Sequence, residues 1–294
     1  MRRLLIIGSG DVALRTIPLL KKGYRVFALV RDPAKRAALR ALGAIPLPGD
    51  LDDRASLSRI AGLADAVLHF APPPNNGVLD TRTRNLLSAL SQGRGRRRNL
   101  PKRLVYISTS GVYGDCGGAW VSETRPLHST SPRSQRRAEA EMQIRAWAKR
   151  NRVNASILRV PGIYAADRLP LGRLQQGTPG IIDSEDGYTS HIHADDLAQI
   201  SVAALQLGKA CRVYHASDDS QLKMGEYFDL VADAFGLPRV PRVSRAEAQR
   251  VLSPMLLSFM NESRRLTNQR MKKELRVKLN YPTVGDMLAT DGHS

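Results

Sequence analysis

The sequence predicts an α/β fold in which helices cover both faces of a doubly wound parallel sheet, with a smaller C-terminal lobe. Short apolar runs alternate with longer amphipathic stretches through the first half of the 294-residue chain, which is typical of repeated β-α units. The apolar runs are nearly continuous, as in parallel strands that are buried on both faces. Gly and Pro interrupt this rhythm after Val160, where the smaller lobe is expected.

Predicted strands and helices alternate up to Val160, and the loops between them are short. The predicted strands are Arg3–Ile7, Tyr24–Val30, Ala44–Leu47, Ala64–Phe70, Leu104–Ser108 and Ala155–Val160. The predicted helices cover residues 12–22, 33–42, 54–61, 78–91 and 133–150. Right-handed crossovers would then place these strands in one parallel sheet.

Two later elements continue this pattern, a helix at Asp195–Leu207 and a strand at Arg212–Ala216. The tail from Met224 onward is predicted to be helical, with breaks at its prolines. We therefore expect a main domain of residues 1–164, joined by residues 191–217, and a smaller substrate lobe of residues 165–190 and 218–294.

Composition and cysteine usage are those of an ordinary globular protein, with 42% apolar and 24% charged residues. No apolar run reaches the roughly 18 residues that a membrane helix needs, and Leu4–Ile7 is too short for a signal peptide. Cys116 and Cys211 have neither CxxC nor metal-ligand spacing, which favours reduced thiols and no metal site. These features predict a cytoplasmic protein without a membrane partner.

The net charge of +18 can indicate a nucleic-acid partner. The basic residues are, however, spread along the chain, and neither an aromatic platform nor a helix-turn-helix pattern accompanies them. Nucleic acid is therefore not the expected main partner. One basic cluster stands out in an expected exposed loop, and its role is left open: Arg94, Arg96, Arg97, Arg98, Lys102 and Arg103.

The first predicted strand runs into a GxGxxA turn that opens the first helix. Gly8 allows the tight turn, Gly10 lets the backbone approach a pyrophosphate, and Ala13 lets the helix pack closely on the strand. The start of the helix, at Asp11 and Val12, would offer its amides and dipole to the phosphates. The turn predicts Rossmann-like dinucleotide binding, and the alternative is a plain glycine turn.

The end of the second strand bears on the choice of dinucleotide. An acidic residue there would accept the ribose hydroxyls of NAD, but Arg31 stands at this position and can pair with a 2′-phosphate. The sequence thus favours NADP, although Asp32 keeps NAD as an alternative and Arg31 can also be a solvated loop charge.

Residues after the third and fourth strands are expected to complete the cofactor cleft. The carboxylate of Asp50 could accept from the adenine amino group, and Leu51 could cover the ring. Ala71 and Pro72 follow the fourth strand and are expected to line the crevice at the carboxyl ends of the strands.

Four further stretches strengthen this assignment: Tyr106–Asp115, Leu158–Tyr164, His191–Ala198 and Asn268–Leu275. With the glycine turn, they resemble the extended and atypical short-chain dehydrogenase/reductases, the NAD-dependent epimerase/dehydratase superfamily, from Arg3 to about Tyr281. The resemblance implies that Leu158–Tyr164 passes the nicotinamide. It adds three candidate cofactor-binding residues: Ser108, Pro161 and Ile163.

The resemblance also implies a catalytic Ser or Thr together with a Tyr-xxx-Lys pair one helical turn apart. Ser110 matches the Ser/Thr position, but the helix that should carry the pair contains no tyrosine and no suitable lysine. Alignment on Glu141 places Arg133 and Arg137 at the two positions. Alignment on Glu139 places Ser131 and Gln135 there instead.

Several residues can compensate for the missing pair. Tyr113 is the candidate proton donor beside Ser110, although it can equally be a structural tyrosine. Arg133 and Arg137 can bind an anionic substrate group, or form a solvated helix face. Two further residues are candidate substrate contacts, each with a structural alternative: Tyr164 as a core tyrosine, and His193 as a cap of the following helix.

Three functions follow from these features. The chain can be an NADP-dependent oxidoreductase or epimerase-like enzyme with a modified proton donor, a non-catalytic NADP-binding sensor or scaffold, or a nucleic-acid-associated protein that keeps the fold. We favour the first, because both cleft-lining stretches keep their family character. A small polar or nucleotide-linked substrate is expected, and a homodimer is one option for the oligomeric state.

Overall fold

The computed structural model describes residues 1–92, 99–253, 256–257 and 260–291. Its strands are β1 Arg2–Ile7, β2 Tyr24–Val30, β3 Ile45–Pro48, β4 Ala66–His69, β5 Arg103–Thr109, β6 Trp120–Val121, β7 Asn154–Val160, β8 Gly162–Tyr164, β9 Gly180–Ile181, β10 Tyr188–Thr189, β11 His191–His193, β12 Arg212–His215, β13 Leu222–Lys223, β14 Arg242–Val243 and β15 Arg265–Leu266. Its α-helices are α1 Asp11–Leu20, α2 Arg36–Ala41, α3 Thr81–Leu90, α4 Pro132–Asn151, α5 Leu171–Gln175, α6 Ala194–Leu207, α7 Met224–Ala234, α8 Arg245–Val251, α9 Gln269–Leu275 and α10 Val284–Asp291.

The main sheet has seven strands in the order β12-β7-β5-β4-β1-β2-β3, and all of them are parallel. The chain therefore starts in the middle of the sheet, builds one side through β2 and β3, and then crosses to β4 on the other side. A crevice opens where this direction reverses, at the carboxyl ends of β1 and β4. The doubly wound, Rossmann-like α/β fold expected from the sequence is confirmed.

The two faces of the sheet carry separate apolar cores, because successive side chains of a strand point to opposite faces. Along β1, Leu4 and Ile6 enter the core beneath α1 and α6, whereas Leu5 and Ile7 enter the core beneath α3 and α4. Each of these four side chains is fully buried. Burial on both faces accounts for the continuous apolar character of the strands.

A third core lies between elements of the C-terminal part, where Tyr164, Phe228, Val231 and Met287 pack together. The segment that we assigned to the substrate lobe, residues 218–294, contributes to more than this core. Met271 on α9 belongs to the main core and packs there with α6. The tail therefore contributes to both the main core and the third core.

Local departures from the predicted elements have local causes. The predicted helix over 33–42 is a 3₁₀ turn, Pro33–Lys35, followed by the short helix α2. The Asp32 side chain accepts a hydrogen bond from the amide of Ala34 and thereby holds this turn. The predicted helix over 54–61 is also a 3₁₀ segment, Arg54–Ile60.

Two predictions remain, one on the basic cluster and one on membrane helices. Arg94, Arg96, Arg97 and Arg98 of the basic cluster lie outside the described residues. Within the described ranges, none of the helices is both long enough and apolar enough to span a bilayer.

Candidate functional site

A cleft of about 280 Å³ lies at the carboxyl ends of β1, β2 and β3. It brings together residues predicted from separate parts of the sequence: Gly8, Gly10, Arg31, Asp50, Leu51, Ala71 and Pro72. Asp32, which the sequence left as the alternative partner for NAD, lines it as well. It also includes residues that were not predicted to bind cofactor: Ile7, Ser9, Leu29, Val30, Lys35, Gly49 and Arg82. The dimensions and position of the cleft suit the adenosine and phosphate half of a dinucleotide.

The turn after β1 has the backbone that a pyrophosphate site needs. Gly8 has φ of +96°, and a Cβ there would stand 2.4 Å from the backbone nitrogen of Ala71. A Cβ on Gly10 would meet no heavy atom of the described residues within 4 Å, so it would project into open space. No described side chain caps the start of α1, which leaves its first amides to a ligand. The turn thus fits a bound dinucleotide phosphate.

Two basic side chains, those of Arg31 and Lys35, lie at the rim of the cleft beyond β2. The Arg31 side chain is 69% exposed, and its Nη1 lies 3.7 Å from Oδ2 of Asp50. Lys35 lines the same rim. Asp32 holds the following 3₁₀ turn through the amide of Ala34. Its carboxylate therefore has a structural partner, while Arg31 and Lys35 add positive charge to this rim.

Arg82 is a lining residue that sequence reasoning missed. Its Nε and Nη2 donate to the carboxylate of Asp52 at 2.8 and 2.6 Å, and its Nη1 donates to the carbonyls of Pro72 and Pro73. Arg82 thereby joins the loops after β3 and β4. No local motif could have indicated this, because the contact exists only once α3 docks against both loops.

The other candidate cofactor residues lie beyond this cleft, toward the ends of β5 and β7. The Ser108 Oγ at the end of β5 is buried and has no hydrogen-bond partner among the described residues. Pro161 follows β7, and Ile163 lies on β8 beside β11. An unpartnered buried hydroxyl at the carboxyl end of a central strand fits a ligand that extends across the sheet.

Asp11 and Val12 begin α1, as expected, but they do not line the cleft. The Asp11 carboxylate accepts from Nε of Arg15 at 2.8 Å and from Nη1 of Arg168 at 3.1 Å. These two arginines offset a negative charge that would otherwise stand close to the phosphate turn.

Tyr113 is buried in a network rather than presented to the cleft. Its side chain is 1% exposed, and its hydroxyl lies 2.6 Å from Nε2 of His215 and 2.6 Å from Nη1 of Arg159. His215 uses Nδ1 on the carbonyl of Thr267, so its Nε2 accepts from the tyrosine. Burial raises the pKa of Tyr113 to about 12. This placement does not support the proton-donor role that the sequence indicated.

The positive charge of Arg159 in this network is balanced by a buried ion pair. Arg159 donates Nε and Nη2 to Glu141 at 3.0 and 2.7 Å. Burial lowers the pKa of His215 to about 3, so the imidazole that faces Tyr113 is neutral. The network is complete by itself, which makes it a structural element of the site.

Ser110 differs from Tyr113 in its neighbours. Nη2 of Arg264 lies 3.5 Å from the Ser110 Oγ, and Nη1 of the same arginine donates to the carbonyl of Gly114 and to Glu262. The segment around Arg264 comes from the C-terminal part of the chain. Sequence reasoning did not place it here, because it is more than a hundred residues away from Ser110.

Helix α4 presents an arginine where the resemblance leads one to expect lysine. Arg137 is 8% exposed and donates to the carbonyl of Ile107 at 2.7 Å and to the hydroxyl of Tyr106 at 3.1 Å. It thus reaches the carboxyl end of β5. In the competing alignment, Ser131 is the N-cap of α4 and is committed to the backbone. The structure therefore favours the alignment on Glu141.

Tyr164 of the third core and His193 are both buried and lie next to each other. Tyr164 is 1% exposed, and its ring lies 5.3 Å from that of His193. The Nδ1 of His193 accepts a hydrogen bond from the amide of Asp195 and caps α6. The capping role that the sequence left as an alternative for His193 is therefore present.

Three comparisons place these features among known proteins. Residues 15–216 match the model of the NAD dependent epimerase/dehydratase family. A dTDP-glucose 4,6-dehydratase of Mycolicibacterium smegmatis is 34% identical over 180 residues, which are 53% of this chain and 52% of the relative. The chain therefore aligns with about half the length of that enzyme.

Solved structures extend the similarity to the whole chain. A conserved protein of unknown function from Silicibacter pomeroyi DSS superposes with a TM-score of 0.80 and 30% identity, covering 100% of this chain and 99% of that one. The UDP-glucuronic acid 4-epimerase of Bacillus cereus in complex with UDP-glucuronic acid and NAD has a TM-score of 0.75 and 19% identity. It covers 99% of this chain and 98% of its own, and at this identity the likeness concerns the fold.

Proposed function

The chain belongs to the NAD-dependent epimerase/dehydratase family, and from this we propose that it is an NADP(H)-dependent oxidoreductase or epimerase-like enzyme with an altered proton-transfer site. The observation that supports this most is the phosphate turn. Gly8 closes against Ala71, Gly10 leaves room for a ligand, and the start of α1 is not capped by a described side chain. A chain that used this fold only as a scaffold would not need that arrangement.

We propose NADP rather than NAD as the cofactor, within a family that is NAD-dependent. Arg31 and Lys35 provide positive charge at the rim beyond β2, while Asp32 is engaged by the backbone. A 2′-phosphate would be stabilised by these cations, whereas the ribose hydroxyls of NAD call for a free carboxylate. When bound, the nicotinamide of such a cofactor supplies or accepts a hydride.

The residues of the chain itself have distinct tasks in this proposal. The Ser110 hydroxyl holds the oxygen of the reacting substrate group, and the unpartnered Oγ of Ser108 binds the nicotinamide half of the cofactor. The guanidinium groups of Arg133 and Arg137 stabilise negative charge and do not transfer a proton. Tyr113 positions the Ser110–Tyr113 turn through its buried hydrogen bonds.

The substrate that we propose is small and polar or linked to a nucleotide. Support comes from the family, and from the B. cereus epimerase of similar fold, whose complex contains UDP-glucuronic acid. Tyr164 and His193 stand between the two lobes and shape the substrate region by packing. A cytoplasmic location and a homodimeric state remain part of the proposal.

Cofactor choice can be tested by titrating NADPH and NADH into the protein and following nucleotide fluorescence. NADPH should bind more tightly, and Arg31→Ala should reduce the preference because the 2′-phosphate loses its partner. Arg40→Ala is the matched control, since it removes an exposed charge from α2 outside the cleft. Equal affinities would contradict the assignment of NADP. Failure of both nucleotides to bind would contradict the proposed function as a whole.

One observation favours a second candidate, a non-catalytic NADP-binding sensor. The Tyr-xxx-Lys pair is replaced by arginines, and Tyr113 is enclosed. Single-turnover assays distinguish the enzyme from the sensor. They follow the absorbance of bound NADPH while a panel of carbonyl and nucleotide-sugar substrates is added. Oxidation of NADPH by any member of the panel supports the enzyme. Tight NADPH binding without oxidation by the whole panel supports the sensor.

A further inference from the structure

The cleft at the carboxyl ends of β1, β2 and β3 is bordered by the loop after β3 and the loop after β4. We propose that Arg82 on α3 is a positioning residue, which fixes the distance between these two loops and thereby shapes the pocket for the adenosine half of the cofactor. It acts through Asp52 and through the backbone at Pro72 and Pro73. This inference rests on the proposed function, since it concerns the cofactor pocket of that same cleft.

Arg82 reaches both loops with one guanidinium group. Its Nε and Nη2 donate to the two carboxylate oxygens of Asp52 at 2.8 and 2.6 Å, and this paired geometry fixes orientation as well as distance. Its Nη1 donates to the carbonyls of Pro72 and Pro73 at 3.2 and 3.3 Å. The proline rings restrict the backbone that carries these carbonyls, so the loop after β4 is a rigid anchor. The guanidinium therefore sets the separation of the two loops.

The side of α3 that carries Arg82 holds the loop after β3 at two further points. Nδ2 of Asn85 donates to the carbonyl of Leu51 at 2.8 Å, and Nη2 of Arg54 donates to Oγ of Ser88 at 2.7 Å. Arg82, Asn85 and Ser88 are spaced three residues apart and therefore lie along one side of the helix. The loop after β3 is thus attached to α3 at three successive turns.

The residues held in this way also line the cleft. Leu51 lines it from the loop after β3, and Pro72 lines it from the loop after β4. Their carbonyl oxygens accept the hydrogen bonds from Asn85 and Arg82. Hydrogen bonds from behind a lining residue keep a binding site within about 0.5 Å of its productive geometry. The width of the pocket is therefore set by α3 and not by the two loops alone.

The charge of Arg82 also affects the rim of the cleft. Its hydrogen bonds hold the pKa of Asp52 below its usual range, and the charge of Arg31 acts in the same direction. Asp52 in turn raises the pKa of Arg82, so both groups of the pair are ionised at neutral pH. Without Arg82, the Asp52 carboxylate would no longer be neutralised and would compete with a 2′-phosphate for Arg31.

The test measures the affinity of the full chain for NADPH and for ADP, which probes the adenosine half alone. Arg82→Gln should weaken binding of both nucleotides about fivefold or more, because the pocket for their shared adenosine group loses its fixed width. Arg84→Gln is the matched control on the same helix. The Arg84 side chain is 56% exposed and lies outside the described lining of the cleft, so this variant should bind both nucleotides as tightly as wild type.

A double-variant cycle shows whether Arg82 acts through Asp52. Asp52→Asn removes one end of the bridge and should weaken ADP binding less than Arg82→Gln, which removes both ends. The double variant should bind ADP no more weakly than Arg82→Gln alone, because the two residues form one unit. Losses that add up would mean that Arg82 contacts the nucleotide directly, and would overturn the positioning role.

Arg82→Lys separates geometry from charge. Lysine keeps the positive charge and can reach a carboxylate, but it lacks the planar donors that bridge Asp52 and the proline carbonyls. It should therefore restore only part of the affinity that is lost in Arg82→Gln, and full recovery would refute the bridge. Circular dichroism identifies losses that come from misfolding. If Arg82→Gln does not fold, Arg82→Lys is compared with wild type, and equal affinity of the two refutes the role.

Failure of the proposed function gives a different result from failure of this inference. If the wild-type protein binds neither NADPH nor ADP, the proposed function fails, and the role of Arg82 fails with it. If the wild-type protein binds both and Arg82→Gln binds them as tightly as Arg84→Gln, the cofactor assignment stands and the role of Arg82 alone is refuted.

Discussion

At the scale of single residues, burial decides what a side chain can do. Tyr113 and Ser110 are three positions apart, yet the first is enclosed by His215 and Arg159 while the second touches Arg264. Both would look equally suitable as catalytic hydroxyls in a linear sequence. Their partners separate a structural hydroxyl from a candidate catalytic one.

Replacing Tyr113 by phenylalanine should therefore reduce stability. The change leaves the buried Nη1 of Arg159 and Nε2 of His215 without the hydroxyl, which should cost about 1–3 kcal/mol in the free energy of unfolding. Urea denaturation measures this, and Tyr24→Phe at a partly exposed site is the control. Unchanged stability together with complete loss of turnover would show that Tyr113 acts in catalysis after all.

Asp218 should make stability depend on pH. It is 4% exposed, and burial raises its pKa to about 8, whereas an unfolded aspartate ionises near pH 4. The contribution of the protonated group is complete below the unfolded pKa and is lost as the pH rises toward 8, by about 1.4 kcal/mol per pH unit. Asp218→Asn should therefore be more stable than wild type at pH 8, and the two should converge toward pH 4.

Urea titrations at several pH values measure this effect. The surroundings of Asp218 support it, because the carboxyl is buried beside Tyr164 and Tyr227 and next to a second acid, Asp219. Asp167→Asn, at an exposed position, is the control and should show no such gain at pH 8. A constant difference between Asp218→Asn and wild type across the range would refute the shift.

At the scale of elements, the turn between β1 and α1 contains two glycines with different surroundings, Gly8 and Gly10. A Cβ at Gly8 would collide with the backbone at Ala71, while a Cβ at Gly10 would meet no described atom. The first glycine is therefore required by the protein itself, whereas the described residues do not require the second, which we propose serves the ligand of the cleft.

Gly10→Ala should leave stability nearly unchanged and weaken NADPH binding, because its methyl group would occupy space in front of the α1 amides. Fluorescence titration and thermal denaturation report the two quantities separately. Gly23→Ala, which also adds a methyl group in open space but outside the cleft, should preserve affinity. Full affinity in Gly10→Ala would argue against pyrophosphate at this turn.

At the scale of the whole molecule, the C-terminal tail connects two cores. Met271 on α9 packs in the main core with α6, while Met287 on α10 packs in the third core. The tail also brings Arg264 to Ser110, so that the candidate site includes a residue of the tail. Assembly of the site is therefore coupled to docking of the tail.

Met271→Ala should destabilise the protein by about 2–5 kcal/mol, as for other large-to-small changes of fully buried side chains. Because Met271 belongs to the main core, the loss should appear in the main unfolding transition seen by calorimetry. Met142→Ala on α4, where the side chain is 61% exposed, should have little effect. A separate early transition in Met271→Ala would mean that the tail unfolds as an independent unit.

The sequence by itself determined the sheet, the glycine turn and about half of the residues that line the cleft. These features are encoded locally: apolar runs predict the seven strands of the main sheet, β1 to β5, β7 and β12, and GxGxxA predicts the backbone of the turn. The exchange of Tyr-xxx-Lys for other residues could also be read directly. Only the tertiary structure favoured one of the two alignments, because it shows Arg137 reaching Ile107 and Ser131 capping α4.

Only the tertiary structure showed the contacts of Tyr113, Arg82 and Arg264. Each role depends on contacts between segments that are distant in the chain, as between Arg264 and Ser110. Hydrophobic periodicity reports which face of an element is buried, but it carries no information on which polar groups meet when elements dock. The partners of a polar side chain, and hence its chemistry, are therefore properties of the folded molecule.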